Sequence, residues 1–222
     1  MAQHSFPSSL YRLSSQVGFI SALANTAGGL LYFLAVLAAI LTGQFAFPPP
    51  GWLQIFGGVT SLIFCPLLVV MMVALHQSEP TDKKTFSQAA LGFTLLFALA
   101  VSINRFSQLG VVRQASAAGK IEGISWFLAY GDYSIMLGLE YLGWAWFLGL
   151  AMLCAAPLFS GDQLESWIRG LMLLYAGLAL VSAVGFITGS WISLFGFAAW
   201  GVVLFVITVL LAVYFHRALK TT

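Results

Sequence analysis

Two ionisable residues of opposite sign lie inside apolar stretches of this chain, and they are where chemistry is first sought. Arg105 nearly closes the run LGFTLLFALAVSINRF, with Asn104 beside it and Gln108 within about one helical turn. Glu140 stands in LGLEYLGW, with Tyr141 next to it. A charge inside a membrane span costs around 3 kcal/mol on insertion scales, so each needs a partner or a wet cavity. From Ala89 to Arg105 a helix rises about 24 Å, and Glu140 lies about 12 Å past Asp132. The two charges therefore fall at similar depth on consecutive helices, and an Arg105–Glu140 ion pair is predicted.

That pair admits three roles. Arg105 snorkels to the headgroups while Glu140 bonds locally; or the pair pins two helices together; or it is the polar core of a site for a small ligand, ion or proton. In the third role Asn104, Gln108 and Tyr141 surround it, Arg105 holds an anionic group, and Trp126 and Tyr130 of the following loop form a lid.

His76 and His216 are a second pair of interest, each closing an apolar run. Two histidines at equal depth on two helices suit the axial positions of a b-type haem. The simpler reading places both at the interface, near helix C-termini where cationic side chains are favoured. His4 belongs to a terminal segment. Cys65 and Cys154 read as small buried apolar residues, and no spacing of Cys and His suggests zinc. The chain has no GxSxG, HExxH, P-loop or GxGxxG opening a helix. A non-enzymatic protein without a metal, and with no cofactor beyond the haem alternative, is expected.

The elements that must hold these residues follow from composition. The 222 residues are 60% hydrophobic and 7% charged, against roughly 25% charged for a soluble domain. Apolar stretches near the length of a bilayer core recur along the chain, while the short alternating segments of a β-barrel are absent. The fold class is an all-α integral membrane protein, a single domain of six spans at about 17–43, 54–76, 86–112, 133–159, 167–188 and 191–215. These form three hairpins that cross and return, joined by short loops. A net charge of +2 gives no electrostatic case for nucleic acid.

Arg12, Lys83, Lys84, Arg169, Arg217 and Lys220 share one side of such a layout, against Arg113 and Lys120 on the other, with Arg105 near it. The positive-inside rule then makes both termini cytoplasmic, in a plasma (inner) membrane. Trp52, Trp126, Trp167 and Trp191 fall near span ends, as an aromatic belt does. Thr85 with Gln88 has capping-box spacing, and Asp132, Asp162 and Glu165 are placed to cap the fourth and fifth spans. Pro66 and Pro157 are expected to kink spans two and four. Residues 114–131 form the longest loop, lying on the non-cytoplasmic interface. Asn25 and Thr26 of span one are expected to face Thr60 and Ser61 of span two. Spans one and two share a faint likeness with spans five and six: WLQIFGG answers WISLFGF, and each pair ends near a histidine.

Three functional expectations follow. The first is a multi-pass protein that binds or transports a small ligand, ion or proton between spans three and four. The second is a non-catalytic structural subunit of a larger membrane complex, a scaffold for pigment, lipid or protein, with other membrane subunits or further copies of itself as partners within the lipid bilayer. A b-type haem subunit is the third.

Overall fold

The computed structural model describes residues 8–46, 48–79, 81–130 and 133–221. All regular structure among them is helical. Six helices are long and apolar enough to cross a membrane: α1 (Leu10–Leu41), α2 (Gly51–Ser78), α3 (Lys84–Ala117), α4 (Ile135–Leu158), α5 (Gln163–Ile187) and α6 (Trp191–Lys220). These are the helices of a multi-pass membrane protein. A helix is what such sequences must form there, because lipid offers no partner for an open backbone N–H or C=O. Helix α1 begins well before the expected residue 17, since its first turns, carrying Arg12, Ser14, Ser15 and Gln16, are polar but helical. Helix α3 likewise continues through Ala117, past the hydrophobic limit near 112.

Each helix packs on its neighbours in chain order, and α6 returns to pack on α1, so the bundle closes into a ring. Its centre is filled by side chains from all six helices, among them Met71, Met72, Phe97, Leu148, Met152, Met172, Tyr175, Ile207 and Phe215. The outer faces carry Leu30, Leu31, Leu34, Leu37, Leu95, Leu99, Leu174, Val181 and Val202, all exposed. So much exposed apolar surface is what lipid contact requires.

Packing is closest where glycine removes a side chain. A Cβ on Gly143 of α4 would stand 2.8 Å from Cγ2 of Val101 on α3, and one on Gly18 of α1 would strike the Phe215 ring of α6 at 2.4 Å. Thr26 of α1 serves the ring closure, donating from Oγ1 to Thr208 Oγ1 of α6 at 3.2 Å, while Asn25 Nδ2 donates to the Ser21 carbonyl of its own helix at 2.9 Å. Thr60 and Ser61 instead return to Phe56 and Gly57 carbonyls on their own helix, so the expected contact between these two polar steps is replaced by one across α1 and α6.

Polar capping joins the α2–α3 turn to the α4–α5 turn. Asp162 caps α5, accepting from the Glu165 N–H at 3.0 Å, while Glu165 Oε2 accepts from Gly161 and Ser160 N–H at 2.7 and 3.0 Å. Arg217 pairs with Asp162 at 3.0 Å. Lys83 Nζ donates to the Leu158 carbonyl and to Ser160 Oγ, both at 2.8 Å, closing the end of α4. The Thr85–Gln88 capping box does not form: α3 starts at Lys84, with Lys83 at the N-cap position and no side-chain cap. Asp132 lies outside the described residues, and Ser134 caps α4 by accepting from the Leu137 N–H at 3.0 Å. Pro66 sits within continuous α2, whereas Pro157 belongs to the tight turn that terminates α4.

Candidate functional site

Arg105 and Glu140 meet in a salt bridge between Arg105 Nη2 and Glu140 Oε1. The second carboxylate oxygen, Oε2, accepts from Asn104 Nδ2 at 2.6 Å, and the same amide nitrogen donates to the Met136 carbonyl at 3.1 Å. Two consecutive residues of α3 thus hold one residue of α4 by both its oxygens. The Arg105 and Glu140 side chains keep 17% and 18% of their surface accessible, while Asn104 is buried.

The local backbone is unusual on both helices. Helix α3 widens to i→i+5 hydrogen bonding over Gln108–Val112, just after Arg105, and α4 does so over Tyr141–Phe147, immediately after Glu140. Such π-helical turns recur at functional sites because they re-aim side chains and loosen the carbonyl ladder. In the α4 stretch the Trp144 carbonyl accepts from the Tyr175 hydroxyl of α5 at 2.8 Å. The ion pair therefore lies between two widened turns on adjacent helices.

Three buried side-chain atoms among the described residues lack a hydrogen-bond partner, and all three belong to this cluster: Asn104 Oδ1, Arg105 Nε and Trp144 Nε1. The Trp144 indole, one turn beyond Glu140, lies near the carboxylate but outside hydrogen-bond geometry. Native interiors seldom leave such groups unpaired, since each orphan costs about 1–3 kcal/mol.

A cavity of about 360 Å³ opens beside the cluster, at the end of the bundle where α1 joins α2 and α3 joins α4. Gln54, Gln108, Arg113, Ser116 and Tyr130 supply its polar lining, and Ile55, Leu109 and Val112 much of the apolar part. Gln108 fastens the loop to α3 by donating to the Phe127 carbonyl at 2.6 Å. Tyr130 connects the cavity to the ion pair, because it lines the one and feels the charges of the other. Burial pushes its phenol up to about 12, with Arg105 acting against that rise and Glu140 adding to it. The same two charges reach Tyr32 on α1 and Cys65 on α2.

The other residues singled out by sequence go elsewhere. Tyr141 leaves the cluster: its ring stacks on Phe186 with centroids 4.3 Å apart, meets Trp200 edge-on, and its hydroxyl donates to the Ser193 carbonyl at 3.3 Å. Trp126 is 62% exposed on a short helical turn of the loop, away from the buried position of a closed lid. His76 Nδ1 is 2.8 Å from Ser87 Oγ of α3, and its carbonyl accepts from Lys84. The His216 ring packs on Phe19 of α1, centroids 5.4 Å apart. The two histidines thus have different neighbours, and among the described residues no three Cys, His, Asp or Glu gather as a metal-binding group. His4 lies outside the described residues.

Sequence reasoning missed Trp144, Tyr32 and both widened turns. Helical spacing held a signal for Trp144, four residues after Glu140 and so on the same face. Nothing in the sequence marks an i→i+5 turn. No protein-family model, no curated protein and no solved structure matches this chain.

Proposed function

We propose that this multi-pass membrane protein binds, and in doing so admits to the membrane interior, a small polar or ionic solute at the cavity between α2, α3 and the α3–α4 loop. The Arg105–Glu140 pair lies behind the lining, about one helical turn from Gln108 and Leu109. The observation that carries this reading is the gathering of unpartnered buried donors and an acceptor around one ion pair, next to a cavity whose lining residue Tyr130 feels that pair. A buried polar atom without a partner costs free energy, and a bound molecule that supplies the partner recovers it. The site is one of binding or passage without catalysis or a resident cofactor.

The orientation proposed with it puts both termini in the cytoplasm of a plasma membrane and the cavity on the opposite face, the six helices forming three hairpins. Lys83 and Arg217, both tied to the α4–α5 turn, then belong to the positively charged inner side.

A thermal-unfolding panel on the full chain in detergent tests this. Butyrate, butyramide, glycine and inorganic phosphate serve as probes against wild type and Ala129→Trp, which fills the cavity from the loop without touching the ion pair. The reading predicts that at least one probe raises the Tm of wild type and not of the variant. No shift with any probe would sink it. The second reading, a structural subunit pinned by Arg105–Glu140, draws on the fact that both Glu140 oxygens already have donors. It predicts a stoichiometric complex on purification in mild detergent.

A further inference from the structure

We infer that the solute is a small monocarboxylate, or an anion of similar shape, and that binding it transfers a proton to Glu140. This rests on the binding site proposed above and names its ligand. The anion takes Arg105 from Glu140, and Glu140 takes up one proton from the water at the cavity mouth.

Arginine presents planar edges, and the Nε–Nη2 edge receives a carboxylate through two parallel hydrogen bonds. In this protein that edge is half used: Nη2 serves Glu140 Oε1, and Nε serves nothing. Glu140 is turned so that its other oxygen goes to Asn104. Nε is buried while Glu140 holds Nη2, so an incoming carboxylate engages both prongs as it displaces Glu140.

The charge count supplies the second step. Arg105 and Glu140 together are neutral, so an added anion would leave one uncompensated negative charge among buried groups, at a cost of several kcal/mol. Among the described residues, the ionisable groups that feel the charges of the pair are Tyr32 from α1, Cys65 from α2 and Tyr130 from the loop. None is a cation. Arg113 of the cavity lining is exposed, so water screens its charge and it does not compensate an anion among the buried groups. Neutrality is therefore restored at Glu140, the one acid in the pair.

Asn104 explains where the proton is held. Its Nδ2 already donates to Glu140, while its Oδ1 is buried without a donor. An ionised carboxylate has no hydrogen to offer that oxygen, but a protonated one does. A carboxylic acid and a primary amide then close a reciprocal pair, N–H to C=O and O–H to C=O. Two of the orphaned atoms are thus accounted for at once: Arg105 Nε by the incoming anion, Asn104 Oδ1 by the proton. No bond other than O–H forms, and the proton comes from bulk water.

The path to Arg105 is consistent in charge. Arg113 lines the cavity with its Nε tied back to the Leu109 carbonyl at 3.1 Å, leaving its terminal nitrogens for an arriving anion. Gln108, one turn beyond Arg105, follows inward.

The test uses radiolabelled butyrate in equilibrium dialysis with the full chain in detergent between pH 6 and 8, where butyrate itself stays ionised. With one proton taken up per anion, affinity falls about tenfold per pH unit over the range where free Glu140 is ionised. A pH electrode in weakly buffered solution then records close to one proton taken up per butyrate bound. Glu140→Gln, which mimics the protonated form, binds butyrate more tightly and with no pH dependence. If that variant does not fold, the wild-type proton count decides alone. Butyrate bound with unchanged affinity across the range and no proton uptake overturns the inference. So does binding of butyramide without butyrate, although that result leaves the ligand-binding reading standing. Binding of neither overturns both.

Discussion

Replacing Arg105 and Glu140 by methionine, singly and together, measures what the pair contributes. Arg105→Met leaves a carboxylate held by Asn104 Nδ2, with the Trp144 indole nearby. Glu140→Met leaves a guanidinium with no carboxylate partner among the described residues. Breaking a buried ion pair from one side costs about 3–5 kcal/mol. Because both side chains retain 17–18% of their surface, the lower end applies, about 3 kcal/mol for each single variant. The double variant strands neither charge, so its loss should fall well below the roughly 6 kcal/mol that additivity gives, a coupling of about 3 kcal/mol or more. Reversible SDS-induced unfolding in mixed micelles, followed by tryptophan fluorescence, gives all three values. A coupling below about 0.5 kcal/mol would refute the reasoning, since the two charges would then be satisfied independently of each other.

Three further outcomes follow from the packing and the polar ends. Gly185→Ala should lower folded yield sharply, because the new Cβ would lie 2.4 Å from the Ser193 backbone nitrogen; Gly28→Ala meets only the Phe64 ring at 2.5 Å and should be rescued by Phe64→Leu. Asp162→Ala removes the α5 cap and the partner of Arg217, for a loss of about 1 kcal/mol in the same unfolding assay. Glu79, buried at the end of α2, has its carboxyl raised by burial, with Lys83 acting against the shift. A carboxyl raised on folding binds more protons folded than unfolded. Wild-type stability should therefore decline as pH rises above about 4.3 toward the folded value, and Glu79→Gln should lack that decline in a pH series of unfolding curves.

Hydropathy made the six helices legible, because spans of a bilayer's width need no finer signal. Their ends were less so. Residues 10–16 are helical yet polar, and transfer preference does not distinguish such a turn from a loop. Depth in the membrane pairs Arg105 with Glu140, since rise per residue is fixed along a helix. Azimuth was harder. Tyr141 stands next to Glu140 in the chain but about 100° around the helix, and so reaches Phe186 and Trp200. Trp144, four residues on, shares the Glu140 face. Thr26 was likewise assigned the wrong neighbour, because α1 has two, and hydropathy does not tell which one a hydroxyl faces. The widened turns after Arg105 and Glu140 come from tertiary packing and left no mark on residue type.

The contact between α6 and α1 also bears on biogenesis. The ribosome delivers α1 first and α6 last, so the flank of α1 that carries Gly18, Gly29 and Thr26 has only lipid against it while four other helices are made. Its eventual partners, Phe215, Phe205 and Thr208, all belong to α6. Until they arrive, the barrel of helices has an open seam, and the small residues on α1 form a shallow notch that any passing transmembrane segment with a protruding aromatic can occupy. Ring closure is thus both the final act of assembly and the moment at which α1 ceases to be available to strangers.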